Sequence, residues 1–154
     1  MKVVLQRVKS AYVKVDSDVI SEIDNGYLLL WGIEDADSEV ESEILINKIL
    51  NFRIFSDENL KMNKSIIDVS GEILIVSQFT LAGKFLKGNR PSFVNAKSSE
   101  IAEEMILKIV EEFSKYVPVK TGSFGAMMDV GLINDGPATF VLTARNGQLI
   151  DQAD

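Results

Sequence analysis

The stretch from Glu72 to Gly83 constrains the fold more than any other. Its apolar run, Ile73-Leu74-Ile75-Val76, holds three β-branched residues and follows the turn pair Ser70-Gly71. That pattern predicts a strand buried on both faces. The run then turns polar as Ser77-Gln78-Phe79-Thr80-Leu81. A strand ending this way sets hydroxyls, an amide and main-chain N–H groups at the edge of a rigid sheet, where small-molecule chemistry is commonly built. A core strand that frays into a loop is the plainer alternative.

With 154 residues, 46% of them apolar and 25% charged, the chain has material for one core and is too short for two. One domain is expected. Met1 to Arg7 passes straight into an alternating strand with no apolar signal region, and no apolar run approaches the roughly 20 residues of a membrane span. A cytoplasmic location with no membrane partner is expected, in keeping with the absence of cysteine. The absences also limit the chemistry. Without His or Cys there is no imidazole base, no thiolate nucleophile, no Ser-His-Asp triad and no zinc site of the usual ligand sets. Carboxylate-only Mg²⁺ sites stay open, but catalysis otherwise falls to hydroxyls, carboxylates, lysines, backbone dipoles or groups that a substrate brings.

The net charge of −7 weighs against a nucleic-acid partner, because phosphate binding draws on basic surface. Distribution qualifies the sum. Glu34, Asp35, Asp37, Glu39, Glu41 and Glu43 crowd one helix start, and Glu100, Glu103, Glu104, Glu111 and Glu112 line another helix. Lys84, Lys87 and Arg90 instead share a loop with no acid between them. That loop is either ordinary solvated surface or a local phosphate contact.

In chain order, residues 2–8 read as a first strand, with Arg7 a charge that would face water at an edge. Tyr12 to Val15 and Val19 to Ile23 read as short strands, and Asp24-Asn25-Gly26 as a turn before Tyr27 to Trp31, giving an antiparallel meander. Ser38 with Glu41 makes a capping box, and Val40, Ile44, Leu45, Ile49 and Leu50 keep helical spacing. A helix over 39–51 is predicted. Arg53 to Ser56 reads as a strand and Ile66 to Val69 as the approach to the central one. Residues 82–97 form a loop long enough to suggest function. Ile101, Met105, Ile109 and Phe113 mark a second amphipathic helix capped by Ser98 or Ser99, and Val117-Pro118-Val119 is confined to a sheet edge. Ala126 to Asn134 and Ala138 to Leu142 read as strands joined by a tight hairpin at Asp135-Gly136, and the polar tail from Ala144 to Asp154 as frayed or appended.

Three stretches together, Met1 to Val8, Gly71 to Leu81 with its Ser77-Gln78-Phe79-Thr80, and Asn134-Asp135-Gly136-Pro137-Ala138-Thr139, resemble the D-aminoacyl-tRNA deacylases. Asn51-Phe52-Arg53-Ile54-Phe55, Lys61-Met62-Asn63, Lys87-Gly88-Asn89-Arg90-Pro91-Ser92-Phe93 and Gly122-Ser123-Phe124-Gly125-Ala126-Met127 agree in order and spacing. The resemblance spans residues 1–143, leaving 144–154 as a tail. It implies a single α/β domain, a curved, mostly antiparallel or mixed barrel-like sheet with two main helices outside, and a homodimer with shared active sites. It implies neither cofactor nor metal. By the same resemblance Ser77, Gln78, Phe79 and Thr80 would line the catalytic pocket for the aminoacylated 3′ end of tRNA, with main-chain N–H groups near Gln78 and Phe79 holding the ester carbonyl. Gly136 and Pro137 would form a cis element inserted from the opposite subunit, oriented by Arg7, with Lys84 available to the RNA.

The implied reaction removes D-amino acids from tRNA, and glycine mischarged on tRNA(Ala), and it suits a chain without histidine. The substrate is an activated ester flanked by a ribose 2′-OH, so the protein needs mainly to place a water and stabilise an oxyanion. Chirality would be set by rejection: carbonyl oxygens of the Gly136-Pro137 step collide with an L side chain, while a D side chain points to solvent. Gly136 must then stay small, and Gly136→Ala is expected to abolish selective turnover with the fold intact. Two alternatives compete. One is a small-ester hydrolase with Thr80 or Ser77 as nucleophile and Lys84 as base; the other is a non-catalytic binding module on the same scaffold.

Overall fold

The computed structural model describes residues 1–151. Its sheet is organised on β1 (Lys2–Val15), one strand where two short ones are predicted, because the polar Lys9 and Ser10 lie in the ladder rather than breaking it. β1 turns back through Asp16-Ser17, both at positive φ (50° and 69°), into β2 (Asp18–Ile23), the backbone of a two-residue hairpin. β2 pairs with Ala11 to Val15 of β1, and β3 (Gly26–Gly32) pairs with Lys2 to Val8. Asp24-Asn25 is therefore a jog along one side of β1, not a reversal.

β3 then pairs in parallel with β6 (Glu72–Ser77), and β6 with β7 (Val119–Thr121) at the sheet edge. Parallel neighbours need crossovers. α1 (Glu39–Asn51) supplies the first and α2 (Ser99–Ser114) the second. Both cover one face, where Leu45, Ile49, Ile106 and Phe113 meet Val3, Leu5, Leu29, Trp31, Ile73 and Ile75. On the opposite face Leu28, Leu74 and Val76 pack against Val8, Ala11, Val13 and Ile23. Ile73 to Val76 is thus covered on both sides, as its composition predicts, and each such side chain contributes about 1.5–3 kcal/mol by leaving water. The sheet curls until β2 reaches β7, with Ser21 Oγ donating to Thr121 O (2.7 Å) and Lys120 Nζ to Glu22 O (2.7 Å).

The predicted 39–51 helix is present with its capping box: the Glu41 carboxylate accepts from Ser38 N (2.9 Å) and Ser38 Oγ (2.7 Å). At α2 the cap residue is Ser98, but its side chain makes no cap bond. The segment after Asn51 is mostly loop, with a small ribbon of β4 (Phe55–Ser56) and β5 (Met62–Lys64), and 66–69 forms a turn.

The largest departures lie near the C-terminus. β8 (Asp129–Arg145) runs unbroken beside β1, and no hairpin forms at Asp135-Gly136. Gln6 faces Thr139 and Val8 faces Asn134, so residues 135–138 are extruded as a bulge from a strand that keeps the same partner. The tail is not frayed through residue 150. A second hairpin at Asn146-Gly147 (φ 52° and 71°) leads to β9 (Gln148–Ile150). Ala144 is fully buried, its N–H donates to Met1 O (3.0 Å), and the Met1 amino group donates to Ala144 O (2.9 Å) and Asp37 Oδ1 (2.5 Å). Glu41 ties the hairpin to α1 by accepting from Gly147 N (2.8 Å). The last three tail residues, 152–154, lie outside the described residues.

Candidate active site

The ladder of β6 ends at Ser77, opposite Trp31, and the chain then tightens into a 3₁₀ turn over Phe79–Ala82. The strand does not run on through Thr80. Gly32 makes the bend feasible: a Cβ there would stand 2.6 Å from Leu81 Cβ and 3.0 Å from Gln78 O, so only a bare backbone lets the turn settle on β3. Gln78 N donates to Trp31 O (2.9 Å) and Leu81 N to Gln78 O (3.1 Å). Gln78 N–H is thus engaged, which corrects the expected donor pair. Among the described residues, the donors left without a main-chain acceptor at the start of the turn are those of Phe79 and Thr80.

Ser77, Gln78, Phe79 and Thr80 share one wall of a cleft of about 590 Å³. Met127 and Met128, after the turn at Gly122 to Gly125, face them from the other side, and Lys97, Ser99 and Ala102 close the end nearest α2. Half of Phe79 is exposed (57%) and Met127 almost wholly (93%), so the lip is apolar and open, while Ile33, Val76 and Ala102 are the buried residues of the lining. The Thr80 hydroxyl accepts from Gln78 Nε2, a donor and not a base. A second cleft, of about 500 Å³ between α1 and α2, is lined by Glu39, Glu43, Glu111 and Glu112, of which Glu39 and Glu112 are paired with Lys108 and Lys115 of the same lining, so its rim keeps a net negative charge.

The other expected residues lie elsewhere. Arg7 does not face water: it is 7% exposed, its Nε donates to Asp135 O (2.9 Å) with Asp135 Oδ2 at 3.6 Å, and its Nη1 donates to Ile54 O. Burial pushes the Tyr27 hydroxyl's pKa well up, and the same guanidinium offsets part of that rise. Asn134 fastens the neck of the bulge, its Oδ1 accepting from Ala138 N (2.6 Å) and its Nδ2 donating to Thr139 Oγ1 (2.9 Å). Gly136 has φ 144° and its peptide bond to Pro137 is cis. A Cβ on Gly136 would stand 2.9 Å from Ala138 N and 3.0 Å from Arg7 Nη2, so Gly136→Ala is expected to strain the bulge locally as well as to alter turnover.

Register separates the two groups. Ser77 lies level with Val3, two strands away, whereas the bulge begins beside Arg7. That is about 13 Å along the strands and, over the three strand spacings from β6 to β8, about 14 Å across them. Within one copy neither Arg7, Gly136 nor Pro137 lines the cleft, and nor does Lys84, which forms a bridge with Ser92. Met127, Met128 and Lys97 were not expected in the site, and Ser99 was expected only as a helix cap. The Gly122 to Met127 string was a usable signal for the first of these.

The match to known proteins spans both the cleft and the bulge segments. Residues 4–143 match the family model described as D-Tyr-tRNA(Tyr) deacylase. The D-aminoacyl-tRNA deacylase of Persephonella marina is 50% identical over 145 residues, covering 94% of this chain and 99% of that protein. The enzyme of the same description from Fusobacterium nucleatum is 46% identical over 150 residues, covering 97% and 99%. Among solved structures, a c-Myc DNA Unwinding Element Binding Protein superposes with TM-score 0.89 at 44% identity, over 94% of this chain and 99% of that one. A probable eukaryotic D-amino acid tRNA deacylase superposes at 0.71 with 18% identity, over 91% and 97%, a likeness of fold alone. A family model that takes in both the cleft and the bulge, with relatives at half identity over nearly the whole length, decides the matter: the chain belongs to the D-Tyr-tRNA(Tyr) deacylase family.

Proposed function

We propose that the chain hydrolyses the ester of D-aminoacyl-tRNA, and of glycine mischarged on tRNA(Ala), in the cytoplasm, as a homodimer whose barrel-like subunits complete each other's sites. The cleft at the end of β6 holds the aminoacylated terminal adenosine. Ser77, Gln78, Phe79 and Thr80 form its working wall, and the N–H groups of Phe79 and Thr80 receive the developing oxyanion. The substrate's 2′-OH helps to orient the attacking water. One observation carries the reading: the cleft and the Gly136-Pro137 bulge are each well formed, yet lie at different levels of one sheet. A second copy would bring them together, the partner's bulge excluding L side chains while Arg7 holds it in shape. Lys84, at the neck of the following loop, serves the RNA.

The geometry weakens the small-ester alternative. Thr80 receives a hydrogen bond from an amide, and the proposed base Lys84 is not part of the cleft lining. The test is ester loss from D-tyrosyl-tRNA, with sedimentation to establish the dimer. Thr80→Ala is expected to retain activity within about tenfold, and a substrate ending in 2′-deoxyadenosine to turn over poorly. A dead Thr80→Ala with a trappable acyl-enzyme would favour the nucleophile instead. No ester loss from D-tyrosyl-tRNA at micromolar protein would favour the non-catalytic module.

A further inference from the structure

The chain is acidic overall, but its charge is not evenly spread. Residues 73–99 contain Lys84, Lys87, Arg90 and Lys97 and no acid, which leaves −11 on the remainder of a chain of net −7. Lys97 is tethered, its Nζ donating to Asp35 O. The other three cations form no ion pair among the described residues. All three lie in the exposed stretch 84–92.

The base of this stretch is fixed and its tip is free. Lys84 N donates to Ser92 O and Ser92 N to Lys84 O, both at 2.8 Å, which closes a small loop with Gly88 (φ 69°) at its turn. Below the closure Gly83 N donates to Thr80 O (3.0 Å), and the Phe93 ring meets the Phe79 ring edge-on at 4.9 Å between centroids. The loop therefore stands on the lip of the cleft. Lys87 and Arg90 flank its turn and Phe85 (73% exposed) stands just above the closure, cations for phosphates on the same loop as a ring on which a base can stack.

We propose that this loop grips the sugar-phosphate backbone of the single-stranded nucleotides that precede the terminal adenosine. Lys87 and Arg90 contact phosphates and Phe85 stacks on a base. The inference rests on the reading of the cleft given above and assigns the RNA its path away from it. Such contacts release counterions and make affinity depend on salt, by about 0.7 of a log unit per phosphate for each tenfold rise in salt on single strands. A purely apolar lid on the cleft has no such dependence.

The test compares the native chain with Lys87→Gln/Arg90→Gln on two substrates, D-tyrosyl-tRNA and the D-tyrosyl ester of adenosine, which lacks phosphate. For the variant, the preference in kcat/KM for tRNA over the bare ester is expected to fall about tenfold through KM, and the salt slope on tRNA by about 1.4. Between about 50 and 200 mM salt the variant then loses about sevenfold less affinity than the native chain. An unchanged preference and slope, an equal loss on both substrates, or dissociation of the variant into single copies would overturn the loop's role and leave the cleft reading standing. The last outcome would make the loop a contact between copies. If the native chain cleaved neither substrate, both readings would fall.

Discussion

Two Asx-Gly pairs, Asn146-Gly147 and Asp135-Gly136, carry the same local signal and make opposite structures. At Asn146-Gly147 both residues take left-handed φ, the chain reverses, and β9 returns along β8. At Asp135-Gly136 the chain does not reverse, because β1 continues on both sides of the interruption and keeps pairing with β8. The intervening residues are extruded and held by Arg7 from below and Asn134 across the neck. Turn chemistry specifies that a ladder is interrupted. Whether the chain then reverses or bulges depends on whether the partner strand ends there. The second pair also illustrates how a tool for chain reversal becomes a presented element: the bulge is fastened to a buried cation, whereas the hairpin is fastened to a helix cap.

The largest test of that contrast removes the fastening of the bulge. Arg7→Ala leaves Asp135 O and Ile54 O without their buried donor and is expected to cost about 3 kcal/mol in denaturant unfolding, with loss of turnover on D-tyrosyl-tRNA. A loss below about 1 kcal/mol would mean that the bulge stands without it. Gly136→Ala, whose Cβ presses on Ala138 N and Arg7 at a φ of 144°, is expected to cost about 2 kcal/mol and to blur chiral selectivity. Unchanged stability there would refute the packing described.

The hairpin is expected to respond less. The Ser38 side chain, then Gly147 N and Ser38 N, hold the Glu41 carboxyl at about 2, down from 4.5. A lowered folded-state pKa stabilises fully above the unfolded value and loses that contribution as pH falls from about 4.5 through about 2. Glu41→Gln should therefore destabilise by about 2 kcal/mol at neutral pH, with the difference from the native chain shrinking across that acid window. A difference independent of pH would locate the effect in packing rather than charge. Gly147→Ala, at φ 71° with Val40 the one neighbour of the new Cβ among the described residues, should cost about 1 kcal/mol, and exchange of the β9 amides should report it.

The cleft was legible by halves. Ser77 to Thr80 stood out as a polar end to an apolar run, but the facing wall, Met127 and Met128, reads like any apolar pair and is recruited only because Gly122 to Gly125 turns it towards β6. Arg7 shows the converse. A lone cation among aliphatic residues reads as an edge residue, and it is buried only because two carbonyls more than forty residues distant converge on it.

The amino-acid order by itself determined what short-range physics controls: the helix over 39–51 with its cap, the amphipathic second helix, the strand at Ile73 to Val76 and the polarity of its end, each settled by side chains within a few residues of one another. Tertiary structure decided where the interruptions lead, which tail residues join the sheet, and which side chains share a cavity. These depend on partners brought together from opposite ends of the chain, as when Met1 meets Ala144, and no local pattern encodes the position of such a partner.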